Sequence, residues 1–351
     1  MRISIFWNLG NNFSVDRYAR ELGENFPPEV EVHHVRYAVS SGWKGRIWDR
    51  HLKYLWRARR EQGDFNIIAS ESCAFLLLAL DARRTVVVCH GVQPLLYRER
   101  QPRGLWRQRY LFNLRRMARA CHIVAVSEDA RRDLLQQCSF LAPAQVTAVH
   151  HGLGPQWKRV EDPARLDALR RKHGMEGRRI VLCVGNETWY KNFDGALRAF
   201  ASLQGSDLCL VKVGPCSAAD RELAERLGLA GRWLYVPEAG DDELRAFYSA
   251  AELLLFPSWH ESFGWPPLEA MACGCPVVAS NRASVPEICG DACLFVDPND
   301  TAGVTAATER VLTDPALRAD LVGKGRLRVQ EFNWGGTAKA MLQLLQHKGA
   351  R

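Results

Sequence analysis

Hydrophobic positions along this chain fall in short apolar runs separated by longer stretches with helical spacing. In the first half, residues 3–7, 30–35, 66–69, 85–89, 122–126 and 146–149 read as strands. The runs at 66–69 and 85–89 are apolar enough to be buried on both faces, with an apolar helical segment between them. The spacing predicts a helix over 15–26 and another that Ser127-Glu128 opens. Residues 155–178 form a connection with a polar helix near 164–173. The pattern then restarts. Strands are expected at 179–184, 208–213, 233–236, 253–256, 276–279 and 293–296. Helices are expected over 192–203, 218–227, 241–250, 301–312, 315–331 and 333–348. Strands alternating with helices imply an α/β chain whose sheets are mainly parallel. Two such runs predict two Rossmann-like domains facing a central cleft, with ligands at the carboxyl ends of the strands.

Composition narrows the class. Of the 351 residues 47% are hydrophobic and 25% charged, the balance of a globular protein. The chain runs from Met1 straight into a strand, so no signal peptide is expected, and the apolar run 74–80 is too short to span a bilayer. The expectation is a cytoplasmic protein, soluble or peripheral on the inner membrane. Eleven cysteines without a CxxC pair read as reduced, buried thiols. Cys273 and Cys275 flank Gly274 without further ligands at useful spacing, and no D-x-D triplet occurs, so neither a metal nor another cofactor is expected.

Charge adds an asymmetry. Residues 1–160 hold 25 Lys and Arg against 14 Asp and Glu, a net +11, whereas the remainder holds 22 against 25. An anionic partner for the first half follows. Two segments concentrate the effect. Residues 43–60 carry seven Lys or Arg, one Asp and three Trp, and residues 98–119 carry eight Arg and one Glu. On a helix Trp48, Leu52, Leu55 and Trp56 share one stripe. That stripe suits either an anionic membrane surface or packing on the core with a solvated basic face. No nucleic-acid module is visible, and nucleic acid is not expected as a partner.

The most informative run is FPSWHESFGWPPLEAMACGCPVVAS, residues 256–280. A strand ends at Pro257, a loop carries Glu261, Phe263 and Gly264, and a helix opens with Pro266 and Pro267. A helix N-terminus after a glycine loop attracts an anion such as a diphosphate. Glu261 in the loop and Glu269, expected in the first helical turn, would repel phosphate and so should face hydroxyl groups. Sugar hydroxyls on either side of a diphosphate fit, which is the layout of a nucleotide-sugar. A second element, VGNETWYKN at 184–192, ends a strand at Gly185 and places Lys191 before a helix, where it can neutralise a diphosphate.

Glu261-x7-Glu269 within ESFGWPPLEAMACGCPVV resembles the signature of retaining GT-B glycosyltransferases of glycosyltransferase family 4. VGNETWYK resembles the family's VGR-x4-K element, with Lys191 at the lysine and Asn186 where an arginine often stands. VVVCHGV resembles the strand that ends in a histidine, here His90. The resemblance implies an acceptor-binding domain over 1–160, a nucleotide-sugar-binding domain over 175–332, and a helix over 333–351 that packs back on the first. It implies catalytic roles for His90 beside the reacting carbon, Glu261 on the transferred sugar and Lys191 on the leaving diphosphate. It places Glu269 on ribose hydroxyls, with Phe263, Gly264, Leu268, Gly185 and Asn186 around the donor. Gly10 is the glycine of the first loop available to phosphate. The partners implied are a nucleotide-sugar donor and a glycan or lipid-linked acceptor in bacterial surface polysaccharide or lipopolysaccharide synthesis. A sugar-nucleotide epimerase or hydrolase, and a non-catalytic sugar-binding protein, are the other readings of the same motifs.

Overall fold

The structure is a computed structural model, and it describes residues 1–9, 13–38, 53–97, 99 and 104–349. The chain divides into two compact units, one of Met1–Gly152 with Phe332–Arg351 and one of Leu153–Glu331.

In the first unit the strands are β1 (Arg2–Leu9), β2 (Glu31–Ala38), β3 (Phe65–Ile68), β4 (Thr85–Cys89), β5 (His122–Ala125) and β6 (Val146–Ala148). They form one sheet in the order β2-β1-β3-β4-β5-β6, every pair parallel. Its helices include α1 (Phe13–Glu24), α2 (Tyr54–Arg60), α3 (Gln93–Leu96), α4 (Leu105–Met117) and α5 (Glu128–Gln137). Helix α1 turns Val15, Tyr18, Ala19 and Leu22 onto the sheet, an i, i+3, i+4, i+7 stripe, against Ile3, Ile5 and Trp7 of β1. The apolar segment after β3 is a 3-10 helix, Glu71–Leu78. All eleven cysteines are free, and Cys121 alone is not fully buried.

The described residues cover only part of the expected stripe. Residues 43–52, with Trp48 and Leu52, lie outside the described residues, as do 98 and 100–103. In α2 the buried positions are Tyr54 and Ala58, whereas Trp56 is 59% exposed under the Arg60 guanidinium, 4.5 Å from its ring. In α4 Tyr110, Leu114 and Met117 turn inward, while Leu105, Trp106 and Phe112 face solvent.

The second unit carries β7 (Arg179–Val184), β8 (Leu208–Val213), β9 (Trp233–Val236), β10 (Ala251–Phe256), β11 (Val277–Ser280) and β12 (Leu294–Val296). Their order is β12-β11-β10-β7-β8-β9, again all parallel. Helices α6 (Pro163–His173), α7 (Phe193–Ala201), α8 (Ala218–Arg226), α9 (Asp241–Ala250), α10 (Trp265–Ala272), α11 (Val285–Cys289), α12 (Thr301–Thr313) and α13 (Pro315–Arg328) accompany them. Val181, Leu210, Leu253, Leu255 and Val278 pack with Leu197, Phe200, Val304 and Val311 in one core. The connection 155–178 is part of this unit. Trp157, Val160, Leu169 and Met175 are buried, Ser249 Oγ accepts from the Val160 N–H at 2.9 Å, and Lys172 and His173 both reach Glu243.

The last helix, α14 (Trp334–Gly349), belongs to the first unit. Thr337 Oγ1 donates to the His150 carbonyl at 2.9 Å, and Trp334 stands 5.8 Å from the Tyr18 ring.

Candidate active site

In a parallel sheet a crevice opens where successive connections leave in opposite directions. In the second unit that point lies between the adjacent strands β7 and β10. Both informative motifs emerge there. Strand β7 runs out into Gly185, whose φ of +147° suits glycine, and its N–H donates to Val213 O at 3.1 Å. A 3-10 turn, Trp189–Lys191, then ends at Asn192 in the left-handed region, φ +53°. That strained asparagine is held by its own side chain: Nδ2 donates to Pro257 O at 2.9 Å and Pro298 O at 3.2 Å. The Trp259 N–H donates to Tyr190 O at 2.7 Å. The bonds to Pro257 O and from Trp259 tie the lysine turn to the chain leaving β10, and the bond to Pro298 O ties it to the chain after β12.

The outcome is an ion pair. Lys191 Nζ donates to both oxygens of Glu261, at 2.8 and 2.9 Å, with the carboxylate buried. The loop carrying Glu261 is clamped from below by buried Ser284, whose hydroxyl lies 2.9 Å from Glu261 O and 2.8 Å from Phe263 O. Helix α10 follows. Gly264 precedes it at φ +103°, where a Cβ would meet nothing within 4 Å, so the space beside the helix start is open. No side chain of Gly264 caps the helix, and its N-terminal dipole faces that space. The helix starts at Trp265, one residue before the prolines, so Glu269 stands in its second turn rather than its first. Glu269 accepts from the Tyr248 hydroxyl at 3.0 Å. Burial and the neighbouring Glu269 charge push the Tyr248 phenol well up, so it stays a donor.

Gly185, Asn186, Lys191, Lys212, Phe256 and Pro257 line one pocket at this point. Asn186 is exposed there, and its Oδ1 accepts from the Thr188 N–H at 3.2 Å.

The first unit has its own crossing point, between β1 and β3. His90 follows β4. Its N–H donates to Glu71 Oε2 at 3.1 Å, and its Nε2 lies 2.9 Å from Ala69 O. A carbonyl only accepts, so Nε2 carries the proton. Burial pushes the imidazole pKa down to about 4, and His90 is therefore neutral at physiological pH. Its ring stacks on His151 at 5.4 Å and meets the Tyr18 ring edge-on at 5.3 Å.

Comparison with known proteins supplies the family. A model described as Glycosyltransferase Family 4 matches residues 9–157, and one described as Glycosyl transferases group 1 matches residues 167–328. The chain belongs to the family 4 glycosyltransferases. It is 30% identical over 273 residues to the serotype-specific mannosyltransferase WbdA of Escherichia coli, covering 74% of this chain and 33% of that protein. To the O-antigen chain mannosyltransferase B of Escherichia coli it is 31% identical over 219 residues, covering 60% of this chain and 57% of the relative. The chain thus spans about a third of the length of the first relative. The fold is that of HepE from Anabaena in complex with UDP-glucose, with a TM-score of 0.83 at 16% identity over 99% of this chain and 100% of that one.

In this family member the second unit brings together Lys191, Glu261, Gly185 and Asn186, with Phe263, Gly264 and Glu269 on the adjoining loop and helix. Leu268 is wholly buried and contributes packing. His90 lies in the first unit, and Gly10 lies outside the described residues. Sequence reasoning passed over Tyr248, Ser284, Glu71 and Lys212. Tyr248 stands in a segment that reads as an ordinary helix, and Lys212 is a single charged residue in a strand, which nothing in the pattern marks as buried. Ser284 lies just before α11, a helix too short to register. Glu71 alone carried a signal, as a lone acid opening an apolar run.

Proposed function

We propose that this chain is a retaining glycosyltransferase that moves a sugar from a nucleotide-sugar donor to a glycan or lipid-linked glycan acceptor in surface polysaccharide or lipopolysaccharide synthesis. The observation that carries the reading is the Lys191–Glu261 pair at the crossing point of the second sheet, beside an open helix N-terminus. Mannose is the first sugar to test, since the relatives are named mannosyltransferases.

The residue roles belong to the same proposal, and the geometry supports them. The donor diphosphate takes the helix start and Lys191, Glu261 receives hydroxyls of the transferred sugar, and Glu269, oriented by Tyr248, receives ribose hydroxyls. His90, neutral and fixed in one tautomer, offers hydrogen bonding without charge. The acceptor hydroxyl attacks the anomeric carbon on the face from which the diphosphate leaves. The new C–O bond forms as the sugar–phosphate bond breaks, its electron pair goes to the nucleoside diphosphate, and the leaving oxygen takes the hydroxyl proton. Lysine charge serves in place of a metal in this scheme.

The test is a panel of nucleotide-sugars with and without lipid-linked glycans, read by product mass and by the anomeric proton coupling. One donor should give a product of retained configuration, at a rate chelator leaves within about twofold. An inverted product or acceptor-independent turnover would overturn the reading.

A peripheral contact with anionic lipid on the cytoplasmic face belongs to the same proposal. Trp56, Leu105, Trp106 and Phe112 are exposed among arginines on α2 and α4, a combination suited to an anionic interface. No described helix is long and apolar enough to cross a membrane. The protein should float with phosphatidylglycerol vesicles at low salt and come off as salt rises. Absence of binding at low salt would sink the membrane contact.

A further inference from the structure

Strand β8 reads as core, yet it carries a lysine. Lys212 is 3% exposed, in a strand whose residues are all buried. An ammonium is costly there unless its hydrogens and its charge are both met. The hydrogens are met. Nζ donates to the carbonyl oxygens of Gly185, of Val213 at 3.1 Å and of Gly214 at 3.5 Å, and lies 5.6 Å from the Phe193 ring. The charge is met only in part, because every one of those partners is a neutral carbonyl or ring and the Asp220 carboxylate of α8 acts on it without an ion-pair contact. The same pocket wall holds Lys191, whose charge Glu261 already takes. Two ammoniums line this pocket, and among the described residues Glu261, on Lys191, is the carboxylate in contact with either of them.

The carbonyls that hold Lys212 belong to the two glycine turns at the ends of β7 and β8. These turns touch: a Cβ on Gly214, at φ +97°, would run into Gly185 O. The ammonium is thus the staple that fixes the turn leading to Lys191. Asn186, nearby, is neutral and supplies no charge to the same pocket.

We propose that Lys212 is a second, cationic positioning residue of the donor site, which staples the two glycine turns and leaves the pocket one positive charge for a bound diphosphate to meet. The inference rests on the donor-site reading above.

The groups around Lys212 give it a pH dependence. It faces the Cys183 thiol of β7, Cys216 beyond β8, Asp220 of α8 and Lys191 of the 3-10 turn, as well as Phe193 of α7. Burial comes first in pulling its pKa down to about 8, and the Lys191 charge adds to it, against the thiols and Asp220. The lysine is charged below that value and neutral above it. A diphosphate binds the charged form better, so affinity is full near neutrality and falls as pH rises through 8.

Calorimetric titration of the full chain with a panel of nucleoside diphosphates tests this. For the diphosphate that binds best, affinity should fall about tenfold between about pH 7 and about pH 9. Lys212→Met should bind about tenfold more weakly near pH 7 and lose the slope, whereas Lys212→Arg, charged throughout, should bind well at both. Titration of the base is common to all three proteins and cancels in the ratios. Should Lys212→Met fail to fold, the comparison of the unmodified chain with Lys212→Arg carries the test. A pH-independent affinity in the unmodified chain, or an unchanged slope in Lys212→Met, would overturn the proposal alone. Binding of no nucleoside diphosphate would overturn the donor-site reading and this inference with it.

Discussion

Lys191→Ala is expected to lower kcat/KM for sugar transfer about a thousandfold, the scale of removing the charge that meets a developing leaving group. Glu261→Ala should cost about a hundredfold, the scale of charge-assisted hydrogen bonds to a substrate hydroxyl. The structure adds a complication, because these residues are partners before any donor arrives. Lys191 Nζ spans both Glu261 oxygens, with the side chains 17% and 8% exposed. Removing the lysine leaves a buried carboxylate without its cation. Lys191→Ala should therefore also lose about 2 kcal/mol of stability, below the cost for a fully buried pair because the lysine retains some solvent.

The pair of effects separates site from scaffold. Lys191→Met with Glu261→Gln removes both charges, so stability should return to within about 1 kcal/mol of the unmodified chain. Activity should stay as low as in Lys191→Ala, because groups that act on one transition state do not contribute additively. Thermal unfolding and initial rates on the same four proteins measure both. A double variant that recovers activity along with stability would show that the pair is structural, and the assignment of both residues would fall.

The strands most legible in the sequence were those bounded by glycine or by the motifs. β4, β7, β8 and β9 run over the residues expected, since an apolar run that stops at His-Gly, Gly or Pro-Glu leaves little choice of boundary. Glu261 and Lys191 were also legible as separate elements. Their ion pair was not, because it depends on β7 and β10 being neighbours, and 70 residues separate the partners. The start of α10 moved by one residue for a local reason: Gly264 at φ +103° lets Trp265 enter the helix before the prolines, which moves Glu269 into the second turn. The neutrality of His90 comes from desolvation of a half-buried ring against Tyr18, His151 and Ala69, which periodicity does not show. Lys212 was invisible for the opposite reason. In a strand pattern a single lysine reads as an edge or solvent position, and only the two glycine turns converging on it explain its burial.

Gly152→Ala is expected to destabilise the first unit by about 3 kcal/mol, the upper end of ordinary overpacking, because the new methyl meets backbone rather than a movable side chain. A Cβ there would lie 2.6 Å from the carbonyl carbon of Asn333 and nearer still to the Trp334 nitrogen. Those atoms open α14, and the turn before Gly152 is its seat. His150 O accepts from Thr337 Oγ1 at 2.9 Å, the His150 ring lies 5.5 Å from Phe332, and the His151 ring lies 6.0 Å from Trp334. The melting temperature should fall by roughly 6–12 °C, and amides of residues 334–349 should lose protection from hydrogen exchange. Gly323→Ala is the control: that glycine is exposed within α13, no heavy atom lies within 4 Å of its Cβ position, and the change should gain about 0.5–1 kcal/mol. The effect should reach the chemistry as well. Trp334 and His151 both pack on Tyr18, and Tyr18 and His151 form the wall against which the His90 ring is held. Lifting α14 from its seat loosens that wall, so transfer should fall further than the folded fraction does. A Gly152→Ala protein that melts within a degree of the unmodified chain would mean that α14 does not need this close approach, and the coupling from the last helix to His90 would fail with it.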